Sequence, residues 1–210
     1  IINSTGFYKT PFMPDYVSTA SVEELAQIML EDIAKGAKVI GEIGTSKNEW
    51  TNDEHKVFEA TVIAQKKTNV VIITHTTLGT LIREQVDFFL ENGINPKKVI
   101  ISHVALSNDL DAIRYALQKG FNVAFDTIGK TKYLPDEIRV QFMKTLIQEG
   151  YMHQLLMSMD ITRQSHLKKN GGVGYAYLLD TFIPMLEQAG ISEDTITTIT
   201  SKNFTEILEA

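Results

Sequence analysis

Five ionisable residues, Glu42, His75, His103, Asp126 and Asp160, each stand at the end of a separate short aliphatic run. Imidazole and carboxylate donors in such a series match the ligand set of a hydrolytic zinc, manganese or cobalt site. Gathering so many ionisable groups in one buried place is costly unless a cation shares the space. The sequence contains no cysteine, so no thiolate is available and a bound metal must be held by His, Asp and Glu. Glu42, His75, His103 and Asp160 are the expected ligands. Asp126 reads as a ligand, as an acceptor behind a ligating histidine or as a turn former, the last two being preferred.

The remaining histidines carry less. His55 falls on an expected exposed helix and His153 precedes the last strand, on the side away from the site. His166 follows Asp160 in a loop with Arg163, Lys168 and Lys169, which reads either as a reader of an anionic substrate group or as a solvated basic loop. Lys130, Lys132, Tyr133, Arg163 and His166 are the residues expected to choose the substrate. Trp50 follows a strand end, where it could wall a pocket or pack under a loop. Gly171-Gly172-Val173-Gly174 lacks the preceding strand of a phosphate cradle and reads as a lid hinge.

The elements that must position these groups repeat as amphipathic helix, glycine, then aliphatic strand. Helices expected over Val22–Lys35 and Leu81–Asn92 stop at Gly36 and Gly93, and Gly120, Gly150 and Gly190 end others. Ser21 with Glu24 and Thr51 with Glu54 read as capping boxes, and Pro135 as a first helical residue. Strands are expected at Ile1–Ser4, Val39–Ile43, Val70–Thr74, Val99–Ser102, Asn122–Phe125 and Leu155–Ser158, mostly continuous apolar runs that suit parallel strands covered by helices. An open doubly wound sheet would spread the five ionisable residues along an edge, and no glycine-rich phosphate loop follows the first strand. A (β/α)₈ barrel gathers strand ends at one mouth, so an α/β fold of that type, as a single domain over residues 1–210, is the expectation.

With 20 basic against 26 acidic residues, a net charge of −6, and no basic cluster, a nucleic-acid partner is not expected. The apolar runs are too short for a membrane span, and the lack of cysteine fits a reducing, cytoplasmic compartment. The chain opens at Ile1 without an initiator Met, inside an apolar stretch, which does not read as a mature natural start.

Taken in order, Gly41-Glu42-Ile43-Gly44-Thr45-Ser46, Thr74-His75-Thr76, Ser102-His103, Phe125-Asp126-Thr127-Ile128-Gly129, Ser158-Met159-Asp160-Ile161-Thr162-Arg163, Gly174-Tyr175 and Phe182-Ile183-Pro184 resemble the phosphotriesterase family of the amidohydrolase superfamily, in particular its phosphotriesterase homology branch. The resemblance runs from Ser4-Thr5-Gly6-Phe7-Tyr8 to the end. It implies a (β/α)₈ barrel of the metal-dependent hydrolase type, N-terminally incomplete, with strands 3 to 8 present. It also implies two divalent cations, zinc first and manganese or cobalt as alternatives. Glu42 would bridge them where many relatives use a carboxylated lysine, His75 and His103 would hold the more exposed ion and Asp160 the more buried one. The family's His-x-His pair occurs nowhere in this sequence, and Asn203-Phe204 stands where relatives commonly have Asn-Pro.

The activity implied is hydrolysis of a small-molecule phosphotriester, lactone or carboxylic ester, anionic if the basic loop residues read it. On that resemblance a metal-bridging hydroxide would attack and Asp160 would take its proton. A homodimer is compatible with this reading. The alternatives are a non-catalytic metal- or ligand-binding barrel with a degenerate site, and an interaction protein whose sheet edges a partner covers.

Overall fold

The computed structural model describes residues 1–209. Its sheet holds six parallel strands in the order β1 (Ser4–Thr5), β2 (Val39–Thr45), β3 (Val71–Thr76), β4 (Val99–Ser102), β5 (Asn122–Phe125) and β6 (Leu155–Met157). Every strand pairs with its neighbour in sequence, so the sheet winds in one direction with no reversal of order. A doubly wound sheet requires such a reversal. Helices α1 (Val22–Ala34), α2 (Asn52–Thr68), α3 (Ile82–Glu91), α4 (Leu110–Gln118) and α5 (Asp136–Gln148) connect successive strands. After β6 come α6 (Ile183–Gln188), α7 (Glu193–Thr197) and α8 (Asn203–Glu209).

Strand residues alternate between two apolar clusters, as the twofold side-chain period of a strand dictates. Ile40, Ile72, Ile101, Val123 and Leu155 join the helices in the larger core. Val39, Val71, Ile100, Ala124 and Leu156 form a second cluster with Ile207 of α8. Asn203 fastens α8 by donating to the carbonyls of Met152 at 2.8 Å and Leu155 at 2.7 Å.

Both capping boxes are present. Ser21 Oγ accepts from the Glu24 amide at 3.1 Å while Glu24 accepts from the Ser21 amide at 2.8 Å. At α2 the same exchange joins Thr51 and Glu54. Glu54 does more, because its fully buried carboxylate also accepts from Ser46 Oγ at 2.6 Å and the Thr10 amide at 3.2 Å. One side chain thereby ties the loops after β1 and β2 to the start of α2.

Several boundaries differ from expectation: α1 stops at Ala34, β2 runs on to Thr45, β3 spans Val71–Thr76, α3 covers Ile82–Glu91 and β6 stops at Met157. The first strand covers Ser4–Thr5 rather than Ile1–Ser4, because Ser4 pairs with Val39, the first residue of β2, and the residues before it run past their partner. Pro135 precedes α5 as its cap rather than opening it, and Asp136 is the first helical residue. The glycines expected to close helices, Gly36, Gly93, Gly120, Gly150 and Gly190, all have positive φ. Among the described residues no helix is long and apolar enough to cross a membrane.

Candidate metal centre

Glu42 lies inside β2 where the pairing with β3 shifts register between Ile40 and Ile43. Such an irregularity re-aims a side chain, and it accompanies a close approach of the two strands. A Cβ on Gly41 would lie 2.4 Å from the Ile73 carbonyl oxygen, and one on Gly44 would lie 2.9 Å from the Cβ of His75, its register partner. His75 is the next-to-last residue of β3 and His103 follows β4 directly. His103 and Asp160 both take left-handed backbone conformations, with φ of 62° and 45°. Strain of this kind in residues with side chains is characteristic of sites where geometry serves function.

These elements bring three of the four expected ligands together. One donor atom from each of Glu42, His75 and His103 lies within 4.8 Å of the other two. Glu42 Oε2 is 3.6 Å from His75 Nδ1, and Oε1 is 3.3 Å from His103 Nε2. The imidazole rings meet edge to face with centroids 4.5 Å apart.

The surrounding hydrogen bonds decide which nitrogens are available. Asp126 Oδ1 accepts from both the His103 amide at 2.9 Å and His103 Nδ1 at 2.8 Å, so Nε2 is the nitrogen turned to Glu42. Thr77 Oγ1 donates to the Thr45 carbonyl at 2.7 Å and must therefore accept from His75 Nε2, 3.1 Å away. That leaves the Nδ1 lone pair of His75 facing a carboxylate oxygen. Burial lowers the His75 pKa beyond what the Glu42 carboxylate restores, so the ring is neutral. Two electron-rich atoms facing each other across such a gap suit a cation between them. The donor set, carboxylate and imidazole with an acceptor behind one histidine, fits a divalent ion.

Charge is arranged accordingly. Burial alone would raise the Glu42 pKa, but the imidazoles of His103 and then His75 beside it hold it at about 2. Burial would lower the His103 pKa, yet Asp126 and Glu42 together raise it to about 11. His103 must release that proton to ligate a metal, so protons compete with ion uptake.

Asp160, the fourth expected ligand, lies outside the cluster of three, and its carboxylate is ion-paired with the Lys130 ammonium. Lys130 is thus committed to Asp160. Lys132 and Tyr133 are exposed and pack together, the ammonium 4.8 Å from the ring centroid. Arg163 is exposed, and His166 Nδ1 accepts from the Thr162 amide at 3.3 Å. Trp50 stacks on His55 with centroids 4.4 Å apart and packs on Phe58 and Phe88, the under-loop role. His153 sits exposed in the turn before β6.

Tyr8 was not singled out by its sequence context, yet its hydroxyl is 3.2 Å from both ring nitrogens of His75. Burial first, then the charges of Glu42 and Asp160, push its pKa well above the ordinary phenol value, so it remains a donor. The available signal was its place just beyond β1, the same end at which the other strands carry their ionisable residues.

Comparison with known proteins decides the ancestry of this arrangement. The profile of the phosphotriesterase family matches residues 1–208. The chain belongs to the phosphotriesterase family. It is 41% identical over 210 residues to the phosphotriesterase homology protein of Escherichia coli strain K12, covering 97% of this chain and 72% of that protein. It is 28% identical to an aryldialkylphosphatase of Saccharolobus solfataricus, covering 97% of this chain and 70% of the relative. A phospho-furanose lactonase of Mycoplasmopsis synoviae is 29% identical, with coverage of 99% and 66%.

Among solved structures, the Escherichia coli phosphotriesterase homology protein, complexed with phosphate in its active site, superimposes with a TM-score of 0.95 at 41% identity, covering 99% of this chain and 74% of that one. A mutant organophosphorus hydrolase from Deinococcus radiodurans gives a TM-score of 0.88 at 26% identity, covering 99% and 70%. Members of the phosphotriesterase family share a TIM-barrel fold and are metal-dependent hydrolases, which establishes the family expected from the strand-end motifs.

Proposed function

We propose that this chain carries the metal-binding and catalytic part of a hydrolase that cleaves an ester-type bond, phosphotriester, lactone or carboxylic ester, in a small molecule. The observation that carries the proposal is the convergence of Glu42, His75 and His103 from three consecutive strands, with their donor atoms within 4.8 Å of one another. A divalent cation in such a site lowers the pKa of water toward neutrality and polarises the substrate oxygen. Two cations, zinc first, are assigned, with manganese or cobalt as alternatives. Glu42 offers one carboxylate oxygen to each histidine side of the gap, His75 contributes Nδ1 and His103 contributes Nε2.

The chain's own residues then divide the work. Asp126 keeps His103 in the tautomer whose Nε2 faces inward. Asp160 is the ligand and proton acceptor of this reading, and the Lys130 ammonium pairs with its carboxylate. Tyr8 stays protonated and supplies a hydrogen bond at the mouth. Lys132, Tyr133, Arg163 and His166 form the group that selects the substrate, with Lys130 beside them on Asp160, and the positive charges of Lys132 and Arg163 favour an anionic one. The phosphate in the active site of the Escherichia coli relative is in keeping with that preference.

Metal analysis of the purified full-length protein, with hydrolysis of an ester, lactone and phosphotriester panel before and after chelation, tests the reading. Bound divalent metal and chelator-sensitive turnover are expected. Turnover that survives complete metal removal would falsify it. Retained metal with no turnover on the whole panel would select the second reading, a barrel that binds metal without catalysis. Asp126→Asn is expected to weaken zinc affinity 10- to 100-fold, roughly the effect of losing the acceptor behind a ligating histidine, as measured by competition with a chromophoric chelator.

A further inference from the structure

A buried ion pair outside the Glu42 cluster lies behind the loop that follows β5. Arg139, in α5, is fully buried, and Asp136, one turn earlier, is 2% exposed. The Asp136 carboxylate accepts from Arg139 Nη1 at 2.7 Å, from the Tyr177 hydroxyl at 3.0 Å, and from the Gly129 amide, which lies 3.2 Å from one oxygen and 3.1 Å from the other. Arg139 Nη1 also donates to the Leu134 carbonyl, and Nη2 donates to Thr127 Oγ1 at 3.3 Å. An apolar pair of the same volume is commonly no less stable than a buried ion pair, so stability alone does not account for these two residues.

Their partners point to another role. Thr127 directly follows Asp126, which holds His103, and Gly129 directly precedes Lys130, which holds Asp160. The bonds from Arg139 and to Asp136 therefore grip the short turn between two residues that support the site. Tyr177 reaches the same carboxylate from the far side, out of the segment after β6 that also carries Arg163 and His166. The contact is close. A Cβ at Gly129, whose φ is 81°, would lie 3.1 Å from Tyr177 Cδ1 and 3.1 Å from Val173 Cγ2.

We propose that Asp136 and Arg139 are positioning residues that join two mouth loops into one mechanical unit. Tyr177 clamps the segment from Arg163 to Tyr177 onto the turn from Thr127 to Gly129, and that turn sets Asp126 against His103 and Lys130 against Asp160. The catalytic consequence rests on the assignment of His103 and Asp160 to the metal site. The clamp itself does not.

Tyr177→Phe removes one hydroxyl and keeps the ring, so it tests the clamp with little risk to folding. Hydrogen exchange of the full-length protein, followed by mass spectrometry, is expected to quicken roughly tenfold in peptides covering both Arg163–Tyr177 and Thr127–Lys130, while peptides of α2 keep their rates. Zinc affinity should weaken in the same variant. Faster exchange confined to Arg163–Tyr177, or no change in either stretch, would overturn the proposal. Arg139→Lys, which keeps the charge and loses the planar fork, should loosen the same two stretches; a variant that loosened neither would count equally against it. If the unaltered protein binds none of zinc, manganese and cobalt, the metal reading fails, and the exchange result still judges the clamp.

Discussion

Glu42→Gln is expected to leave the fold intact and to lower hydrolytic turnover on the order of 10³-fold, together with the loss of most bound metal. The reasoning starts from charge. Its carboxylate is anionic at any working pH, because the imidazoles of His103 and His75 beside it overcome burial and hold its pKa at about 2. It is also the group that both histidines face, at 3.3 and 3.6 Å. The amide has the same shape but no charge, and one of its two ends would present N–H to a ring nitrogen needed for an ion. Losing several kcal/mol of transition-state charge stabilisation at about 1.4 kcal/mol per tenfold gives the stated magnitude. Steady-state kinetics and elemental analysis of the variant check both halves. Turnover within threefold of the unaltered protein, with a full metal complement, would remove Glu42 from the centre.

Arg139→Met is expected to destabilise the protein by about 3–5 kcal/mol, the usual penalty for stranding one partner of a buried ion pair. The side chain is fully buried and bonds to Asp136, Leu134 and Thr127. Removing it leaves the Asp136 charge with only the Gly129 amide and the Tyr177 hydroxyl. In a domain of this size the loss corresponds to a melting temperature lower by roughly 10 °C, measurable by calorimetry. Adding Asp136→Leu should recover part of it, since the stranded charge disappears as well. A single variant that melts within 2–3 °C of the parent, a loss of roughly 1 kcal/mol, would show that the pair carries no such load.

Much of this arrangement was legible from residue order. Parallel strands buried on both faces write themselves as aliphatic runs, and His75, His103 and Asp160 stand out because such runs stop before them, while Glu42 interrupts one. Ser21 with Glu24 and Thr51 with Glu54 announced two helix starts through chemistry confined to four residues. Tyr8 escaped notice because it stands three residues beyond Thr5, past Gly6 and Phe7, and not directly where the expected strand ends.

The charged interior escaped for a different reason. Asp136 and Arg139 are spaced as a surface pair on a helix commonly is, and nothing local distinguishes a pair that is solvated from one that is enclosed. The commitment of Lys130 to Asp160 depends on two loops meeting across 30 residues of sequence, which the fold decides and periodicity does not.

The backbone twist at His103 and Asp160, with φ of 62° and 45°, sets a trap for protein engineering. A residue carrying a Cβ stores on the order of 1 kcal/mol there, and glycine releases it. Directed evolution rewarded only for heat resistance would be drawn to these two positions, trading away chemistry for robustness. Selection schemes for this scaffold should therefore score turnover in every round.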